Sequence, residues 1–266
     1  MNQSKRKFTD QMDREVEVNF PPLRIVSLVP SQTELLFDLG LEERAIGVTK
    51  FCVHPLHWRK TKDRVGGTKT LDIEKIISLN PDLIIGNKEE NEREQIELLN
   101  GLFPVWMSDI YNLADSLNMI AEVGQLVDAA DRAEELKKLI EQKFNLPFYG
   151  VSHNKKALYL IWRKPWMGAG NRTFIHDMLA RLGFENVLKN ERYPEISKDE
   201  LQMLSPQVVF LSSEPYPFKE QHVAEILQLL PKAKIFLADG EMFSWYGSRL
   251  LMAADYFSKN LKYWHK

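Results

Sequence analysis

The stretch RIVSLVPSQTELLFDLG, residues 24–40, constrains the fold more than any other part of the chain. It begins with an apolar run rich in β-branched residues, IVSLV, which is typical of a buried parallel strand. A proline ends that run, and Ser31 with Glu34 three residues later fits a helix capping box. Leucines then recur at helical spacing up to Gly40, a residue type that commonly ends helices. The sequence therefore predicts a strand, a tight turn and a helix, the unit from which open α/β sheets are built.

Short apolar runs alternate with amphipathic segments along the rest of the chain. Predicted helices separate predicted strands at residues 45–49, 83–85, 104–107, 156–162, 208–212 and 235–238. In the middle, residues 113–144 have a helical pattern with a break near Gly124 and Asp128 and contain no strand. This alternation favours mainly parallel sheets. We predict an N-terminal α/β lobe at 1–110 (with an extension at 1–22), a helical connector at 111–147 and a C-terminal α/β lobe at 148–266.

One internal correspondence links the two halves. The segments LDIEKIISLNPDLIIG and ISKDELQMLSPQVVFLS each predict a short helix, a proline and a buried strand. Glu74 lies seven residues before Pro81, and Asp199 lies seven residues before Pro206. The two halves therefore carry a carboxylate at equivalent positions on equivalent predicted helices.

Charge and composition exclude several classes of protein. A formal net charge of −2 gives no electrostatic reason to expect a nucleic-acid or anionic membrane partner. The single cysteine, Cys52, excludes an internal disulfide. No apolar segment has the length of a membrane span, and the first residues lack the apolar core of a secretory signal. As sequenced, the chain is expected to be cytoplasmic; the alternative is a periplasmic or membrane-associated protein whose leader has been removed.

The sequence contains none of the common enzyme motifs: G-x-G-x-x-G after the first strand, a P-loop, H-E-x-x-H or G-x-S-x-G. No Cys or His residues have zinc-site spacing, so we expect no resident metal site. Cys52 with His54 and Asp239 with Glu241 are the only candidate catalytic pairs. We therefore predict no catalytic residues and no enzyme.

Aromatic and basic side chains concentrate in predicted loops that follow strands, where open α/β sheets bind ligands. One loop covers residues 50–70, another begins at the end of the 156–162 strand and includes 167–171, and a third follows the last strand. Rings with a few cationic donors suit a large, flat ligand. The candidate ligand residues are Lys50, Phe51, His54, Trp162, Arg163, Trp166, Phe243, Trp245, Tyr246 and Arg249. The basic members of this set favour a ligand that carries carboxylates or phosphate.

The segments quoted above, with GFENVL at 183–188, resemble the class III periplasmic-type substrate-binding proteins, also called helical backbone metal receptors. The resemblance covers nearly all of residues 20–262, and SLVPSQTE is most similar to the cobalamin-binding branch. It implies an α/β fold of two Rossmann-like lobes with mainly parallel sheets, joined by one long backbone helix. It also implies that ligand is held between the lobes and that Glu74 and Asp199 dock on the membrane subunits of an ABC transporter.

The resulting prediction is a monomer that binds a cobalamin-like corrinoid or another metal chelate without catalysis. It would be the substrate-binding protein of an ABC transporter or a cytoplasmic relative of one, and it would need no cofactor beyond its ligand. Siderophore or heme binding is the alternative within the same class, with His54 as a candidate axial contact to the metal. A cytoplasmic cofactor-processing enzyme or chaperone, and a scaffold that has lost its ligand, are the alternatives from other classes.

Overall fold

The computed structural model describes residues 4–145 and 154–266. These residues form two compact units. Unit 1 takes in the chain up to Asp109 together with Ala114–Leu139 and Tyr246–Ser248. Unit 2 takes in Ile110–Leu113, Ile140–Trp245 and Arg249–Lys266. The predicted boundary between connector and C-terminal lobe, at residues 147 and 148, lies outside the described residues.

The chain from Ser4 to Asn145 forms a hairpin, an alternating β/α region and a helical connector. The elements are β1 (Ser4–Thr9), β2 (Glu15–Phe20), β3 (Ile25–Ser27), α1 (Pro30–Asp38), β4 (Ala45–Val48), α2 (Trp58–Thr61), β5 (Asp63–Arg64), α3 (Ile73–Leu79), β6 (Leu83–Asn87), α4 (Arg93–Asn100), β7 (Val105–Ser108), α5 (Leu113–Leu126) and α6 (Ala130–Asn145). β1 and β2 pair antiparallel, and a parallel sheet has the order β5-β4-β3-β6-β7. Its central strands, β3 and β6, are buried along their whole length, as parallel strands covered on both faces are.

Helix α1 departs from its predicted start. Val29 is its N-cap, Pro30 lies in its first turn, and no side chain caps it. The predicted capping box of Ser31 and Glu34 is therefore wrong, because Ser31 already lies inside the helix, where it is buried. The prediction for Gly40 is confirmed: it follows the helix with a φ of 83°, a left-handed conformation that glycine adopts without strain.

Unit 2 repeats the β/α alternation with some antiparallel additions. Its elements after the connector are β8 (Lys155–Trp162), β9 (Trp166–Gly168), α7 (Phe174–Arg181), β10 (Phe184–Asn186), β11 (Glu195–Ile196), α8 (Lys198–Leu204), β12 (Val208–Ser212), α9 (Glu220–Leu229), β13 (Lys234–Ala238), α10 (Gly240–Ser244) and α11 (Leu250–Trp264). The sheet order is β11-β9-β8-β12-β13, with β10 also beside β8. β8, β10, β12 and β13 are parallel, whereas β9 and β11 run antiparallel. The predicted loop at 167–171 thus begins inside β9.

The internal correspondence found in the sequence is present in the structure. Asp72 caps α3 by accepting a hydrogen bond from the Lys75 N–H at 3.0 Å, and Ser197 caps α8 in a full capping box. Both helices end at a left-handed residue, Asn80 in α3 and Ser205 in α8, which is followed by a buried proline and a central strand. Two equivalent helices therefore have the same start and the same stop.

The predicted helical connector is present as α5 and α6, which follow one another along the chain. They are separated at the predicted break, where Asp128 has a φ of 58°. Gly124 lies where α5 meets the start of α6, and a Cβ there would collide with the Cβ of Ala133. The α/β class and the mainly parallel sheets are therefore confirmed, and the domain bounds stay a prediction. In the described part of the chain, no helix is long and apolar enough to cross a membrane.

Candidate ligand site

The carboxyl ends of β12 and β13 in unit 2 bring together several ionisable and aromatic side chains. We call this edge of the sheet the carboxyl edge of unit 2. Asp239 directly follows β13 and caps the short helix α10 by accepting a hydrogen bond from the Glu241 N–H at 3.2 Å. At the same end of that helix, the Gly240 N–H donates to Ser213 Oγ at 2.9 Å. The start of α10 is thus fixed to the loop that follows β12.

Glu214, in the loop after β12, fixes the other end of α10. Its Oε1 accepts hydrogen bonds from Trp245 Nε1 at 2.8 Å and from Ser244 Oγ at 3.0 Å. Burial raises the pKa of Glu214, and the nearby carboxylates of Glu241 and Asp239 raise it further, although the two donors act in the opposite direction. Glu214 was not among the residues predicted from sequence. The signal that points to it is a lone acid two residues after a buried strand, in the loop sequence SSEPYP.

Two buried hydroxyl groups, those of Tyr159 and Ser212, lie next to Glu214. Tyr159 is fully buried and its hydroxyl donates to Ser212 Oγ at 3.2 Å, where burial raises the pKa of the phenol well above its ordinary value. Ser212 Oγ in turn accepts from the Glu214 N–H at 3.4 Å. Gly240 packs against this group so closely that a Cβ there would meet Glu214 Cγ and, at 2.6 Å, Ser212 Oγ. The carboxyl edge of unit 2 is therefore tightly packed around the Glu214 side chain.

Arg249 is the cation next to this acidic group. It is buried, and its Nη1 lies 3.5 Å from Oε2 of Glu241. Its guanidinium carbon lies 5.3 Å from the centre of the Trp245 ring, a distance that allows a cation–π interaction. Trp245 and Arg249, both predicted ligand residues, therefore lie side by side. Trp245 and the adjacent Tyr246 each expose less than a tenth of their surface.

The predicted ligand residues after β8 have partners within unit 2. Arg163 donates from Nε and Nη2 to the two carboxylate oxygens of Glu225 at 2.8 and 3.0 Å, a bidentate pair. Trp166 is buried and stacks on Phe218 with 6.2 Å between ring centres. Trp162 remains 39% exposed and keeps an open face. Of these three, Trp162 has the most surface available to a ligand.

Phe243 occupies a different environment from the other predicted ligand residues. Its side chain has no exposed surface and packs against the rings of Tyr159, Phe257 and Phe210, with ring centres 4.8 to 5.7 Å away. A ring enclosed in this way stabilises the core of unit 2 by burial of its apolar surface. Phe243 belongs to α10, and its packing holds that helix on the core of unit 2. Because its ring is fully enclosed, the structure does not support direct ligand contact by Phe243.

In unit 1, the residues predicted after β4 lie at the surface. Phe51 is 52% exposed, and the Lys50 Nζ lies 5.1 Å from the centre of its ring. Gly67 makes room for both side chains, since a Cβ there would lie 3.1 Å from Lys50 Cε and from Phe51 Cε2. His54 follows in the same loop and is partly buried. Lys50 and Phe51 thus present a cation and a ring to solvent.

The buried part of the carboxyl edge of unit 1, at the ends of β6 and β7, is built from uncharged polar groups, and an ion pair between Lys88 Nζ and Asp109 Oδ2 at 2.5 Å directly follows the two strands. Asn87 is buried, and its Nδ2 donates to Ser108 Oγ at 2.9 Å while its Oδ1 accepts from the backbone N–H groups of residues 89 and 90. Gln32 Nε2 donates to the same Ser108 Oγ at 2.6 Å. Asn91 Oδ1 accepts from the Asn87 N–H at 2.9 Å, and Asn91 Nδ2 donates to the carbonyl oxygen of Thr68 at 3.0 Å. These side chains hold the loops above the sheet by hydrogen bonds.

Neither candidate catalytic pair has the environment that catalysis requires. Cys52 is buried, its Sγ lies 3.1 Å from Thr33 Oγ1, and burial raises the pKa of its thiol, whereas a nucleophilic cysteine needs a lowered one. Asp239 is a helix cap and Glu241 lies beside Arg249. Within residues 4–145 and 154–266, no group of three or more His, Cys, Asp or Glu side chains is placed to hold a metal ion.

The two carboxylates of the internal repeat lie on the surface. Glu74 is in the first turn of α3 and Asp199 is in the first turn of α8, and both are exposed. Their equivalent positions follow from the equivalent caps and stops of the two helices. Their predicted role in docking stays a prediction, as does the ligand role of the residues named above.

Comparison with known proteins adds independent information. Residues 25–229 match the sequence profile of a family described as periplasmic binding protein. The vitamin B12-binding protein of Yersinia pestis (strain Pestoides F) is 22% identical over 237 residues, which cover 87% of this chain and 84% of that protein.

Solved structures resemble the whole fold. The periplasmic heme-binding protein RhuT from Roseiflexus sp. RS-1 in its apo form matches with a TM-score of 0.80 and 22% identity, covering 91% of this chain and 99% of that one. The periplasmic vitamin B12 binding protein BtuF of Vibrio cholerae matches with a TM-score of 0.73 and 23% identity, covering 92% and 99%. These likenesses show that the chain has the same fold as both proteins.

Proposed function

Because the chain belongs to the periplasmic binding protein family, we propose that it binds a cobalamin-like corrinoid, or another metal chelate, without catalysing a reaction. In this role it is the substrate-binding component of an ABC importer or a relative of one. The raised thiol pKa of Cys52 and the engaged side chains of Asp239 and Glu241 support a role without catalysis.

The charge balance at the carboxyl edge of unit 2 is the observation that favours a corrinoid over a ligand rich in carboxylates. Arg163 is paired with Glu225, and Arg249 lies beside Glu241 with Glu214 and Asp239 close by. The two arginines that suggested an anionic ligand are therefore already balanced by carboxylates. Carboxylates accept hydrogen bonds from amide N–H groups, which cobalamins carry around the corrin ring. An uncharged ligand rich in amides fits this edge better than one rich in carboxylates.

Heme is the second candidate. The TM-score of 0.80 to a heme-binding protein supports it, as does the exposed pair of Lys50 and Phe51 in unit 1. A heme carries two propionates, which favour cations that are not already balanced by carboxylates. On this argument heme binding is the weaker of the two activities.

Calorimetric titration of the purified protein with cyanocobalamin, hemin and a ferric hydroxamate siderophore tests the proposal. We expect saturable binding of cyanocobalamin with a Kd in the micromolar range or tighter, and weaker binding of hemin. Tighter binding of hemin would move the assignment to heme, and the absence of saturable binding for all three would refute the proposed function.

The exposed carboxylates of α3 and α8 are proposed to dock on the membrane subunits of the transporter. The double variant Glu74→Ala/Asp199→Ala should abolish the stimulation of transporter ATPase activity by this protein while leaving ligand affinity unchanged. Glu94→Ala/Glu135→Ala, which removes two other exposed helix carboxylates, is the matched control. Full stimulation by the first double variant would contradict the docking role.

We propose further that the protein works as a monomer without a nucleic-acid partner. The two structural relatives named above are periplasmic proteins, which supports the same location for this chain. Sedimentation equilibrium with and without ligand, and fractionation of cells that express the native gene, test these two points. A stable dimer or a protein found only in the cytoplasm would contradict them.

A further inference from the structure

Helix α10 is held at both ends by the two residues that follow β12, Ser213 and Glu214. At its start, the Gly240 N–H donates to Ser213 Oγ, and at its end Ser244 and Trp245 donate to Glu214. The helix has only five residues, so its own backbone hydrogen bonds contribute little to holding it in one place. The loop after β12 therefore decides where the last turn of α10 lies.

Glu214 is the residue of this loop that reaches the predicted ligand residues. A single oxygen, Oε1, accepts both hydrogen bonds, one from the Trp245 indole and one from the Ser244 hydroxyl. The Trp245 side chain has two rotatable bonds, and a hydrogen bond at Nε1 fixes the orientation of the whole ring. Since Arg249 lies 5.3 Å from the centre of that ring, the position of the ring also restricts the guanidinium.

The surroundings of Glu214 favour its role as a hydrogen-bond acceptor over a role as an ion. The groups around it are the carboxylates of Asp239 and Glu241 and the hydroxyls of Ser212 and Tyr159. Two of these are acids that repel a second charge, whereas its two closest side-chain contacts are donors. An uncharged side chain with the same acceptor oxygen therefore has what the site requires.

We propose that Glu214 is a positioning residue for ligand: it holds the indole of Trp245, and through it Arg249, in the orientation in which both contact the bound chelate. This inference rests on the proposed function, because it takes Trp245 and Arg249 as ligand contacts. Glu214 itself acts through Trp245 and does not need to touch the ligand.

A double-mutant cycle on the full chain tests the proposal, with cyanocobalamin affinity measured by calorimetry. Glu214→Ala should weaken binding about tenfold, the loss expected for one to two hydrogen bonds. Glu214→Gln keeps the acceptor oxygen and should bind within about threefold of the wild type. In a Trp245→Phe background, Glu214→Ala should cost less than about twofold, because the ring N–H through which it acts is gone.

The same cycle gives the results that would overturn the proposal. If Glu214→Ala costs as much in the Trp245→Phe background as in the wild type, Glu214 does not act through Trp245. Wild-type affinity in Glu214→Ala, or a tenfold loss in Glu214→Gln, also rejects a role as acceptor. Should alanine leave the protein unfolded, Glu214→Met replaces it in the cycle, since methionine fills similar space without an acceptor oxygen.

A measurement without ligand separates this inference from the proposed function. The near-ultraviolet circular dichroism band that Trp245→Phe removes from the ligand-free protein should also be lost in Glu214→Ala and kept in Glu214→Gln. If the band changes in this way but the wild type binds no chelate, the proposed function is wrong. Glu214 then positions Trp245 for another purpose, and the inference that it does so for ligand is also rejected. If chelate binds but the band is unaffected by Glu214→Ala, only the positioning inference fails.

Discussion

The carboxyl edges of the two sheets have the same place in the topology but bury different kinds of polar side chain. In unit 1 the buried part of the edge at the ends of β6 and β7 consists of amides and hydroxyls around Asn87, and the Lys88–Asp109 ion pair lies in the more exposed positions that follow. In unit 2 the edge at the ends of β12 and β13 holds Glu214 with a tryptophan and two further acids, and an arginine lies beside one of those acids. An amide network needs no counter-charge when it is buried, whereas buried acids change their pKa or require donors and cations.

The two units share a repeated segment of helix, proline and strand, which we call the shared plan. The difference between the two edges lies outside that segment. Helices α3 and α8 have equivalent caps and stops, and the residue after each proline performs the same task. The Asp82 carboxylate accepts from the backbone N–H of Arg24 at 2.8 Å, and Gln207 Oε1 accepts from that of Lys156 at 3.0 Å. The shared plan therefore determines where the strands lie, and a few loop residues determine which polar groups each edge carries.

The largest expected effect belongs to the buried amide network of unit 1. Asn87→Ala should lower the free energy of unfolding by about 3 kcal/mol, because it leaves buried backbone and side-chain groups without their hydrogen-bond partners. Urea titration followed by circular dichroism measures the change. Asn118→Ala, on the exposed face of α5, is the control and should change stability by less than about 0.5 kcal/mol. Similar small effects of both variants would mean that the network does not stabilise unit 1.

The next effect belongs to the ionisable edge. Gly240→Ala should destabilise the protein by about 2 kcal/mol, because the added methyl group meets Glu214 and Ser212 in a closely packed site. The same variant should weaken ligand binding, since it displaces the residue that holds Trp245. Gly101→Ala, whose added Cβ would find its nearest neighbour at 3.4 Å, should be close to neutral. If Gly240→Ala is as harmless as this control, the packing around Glu214 is looser than the geometry indicates.

Local sequence was sufficient to predict the elements that both units share. The short helices α3 and α8, the end of α1 at Gly40 and the buried strands were all predicted, because each depends on residues a few positions apart. The capping box at Ser31 failed because Pro30 at the first helical position moved the start of the helix to Val29. Strand β9 was missed because its glycine-containing sequence resembles a loop, and its pairing with β8 depends on a tertiary contact.

The candidate site was less predictable, since its pairs join distant residues. Glu225 balances Arg163 from 62 positions away, so the sequence suggested a basic site where the structure has a bidentate ion pair. Glu214 and Trp245 are 31 positions apart, and no periodic pattern connects them. The sequence located the loops that follow the strands but did not reveal which of their side chains neutralise each other.

A smaller effect tests the shared plan directly. Asp72→Ala and Ser197→Ala should each lower stability by about 1 kcal/mol, the usual cost of losing a helix N-cap. Asn at either position restores an acceptor and should recover most of the loss. Hydrogen exchange of α3 and α8 measures the effect separately in each unit. A large loss in one unit and none in the other would show that the two helices are alike in geometry but not in energetic role.

The smallest effect concerns the charge of Glu214, because Glu214→Gln keeps both hydrogen bonds and removes only the ionisation. The pKa of Glu214 is raised above its ordinary value of 4.5 by burial, so the folded state binds this proton more tightly than the unfolded state. The contribution of Glu214 to stability is therefore complete below about pH 4.5 and is lost as the pH rises through the raised pKa. Glu214→Gln should gain stability relative to the wild type as the pH increases over that range.

Glu200, in the capping box of α8, provides a control of opposite sign. Hydrogen bonds from Ser197 lower the pKa of Glu200, so its contribution is present above about pH 4.5 and is lost as the pH falls through the lowered pKa. Glu200→Gln should therefore lose stability relative to the wild type as the pH rises, while Glu214→Gln gains it. Urea titrations of both variants and the wild type at about pH 4, 5, 6 and 8 measure the two slopes. Slopes of the same sign would show that Glu214 is ionised at no cost, and the carboxyl edge of unit 2 would then tolerate buried charge as readily as a solvent-exposed helix cap does.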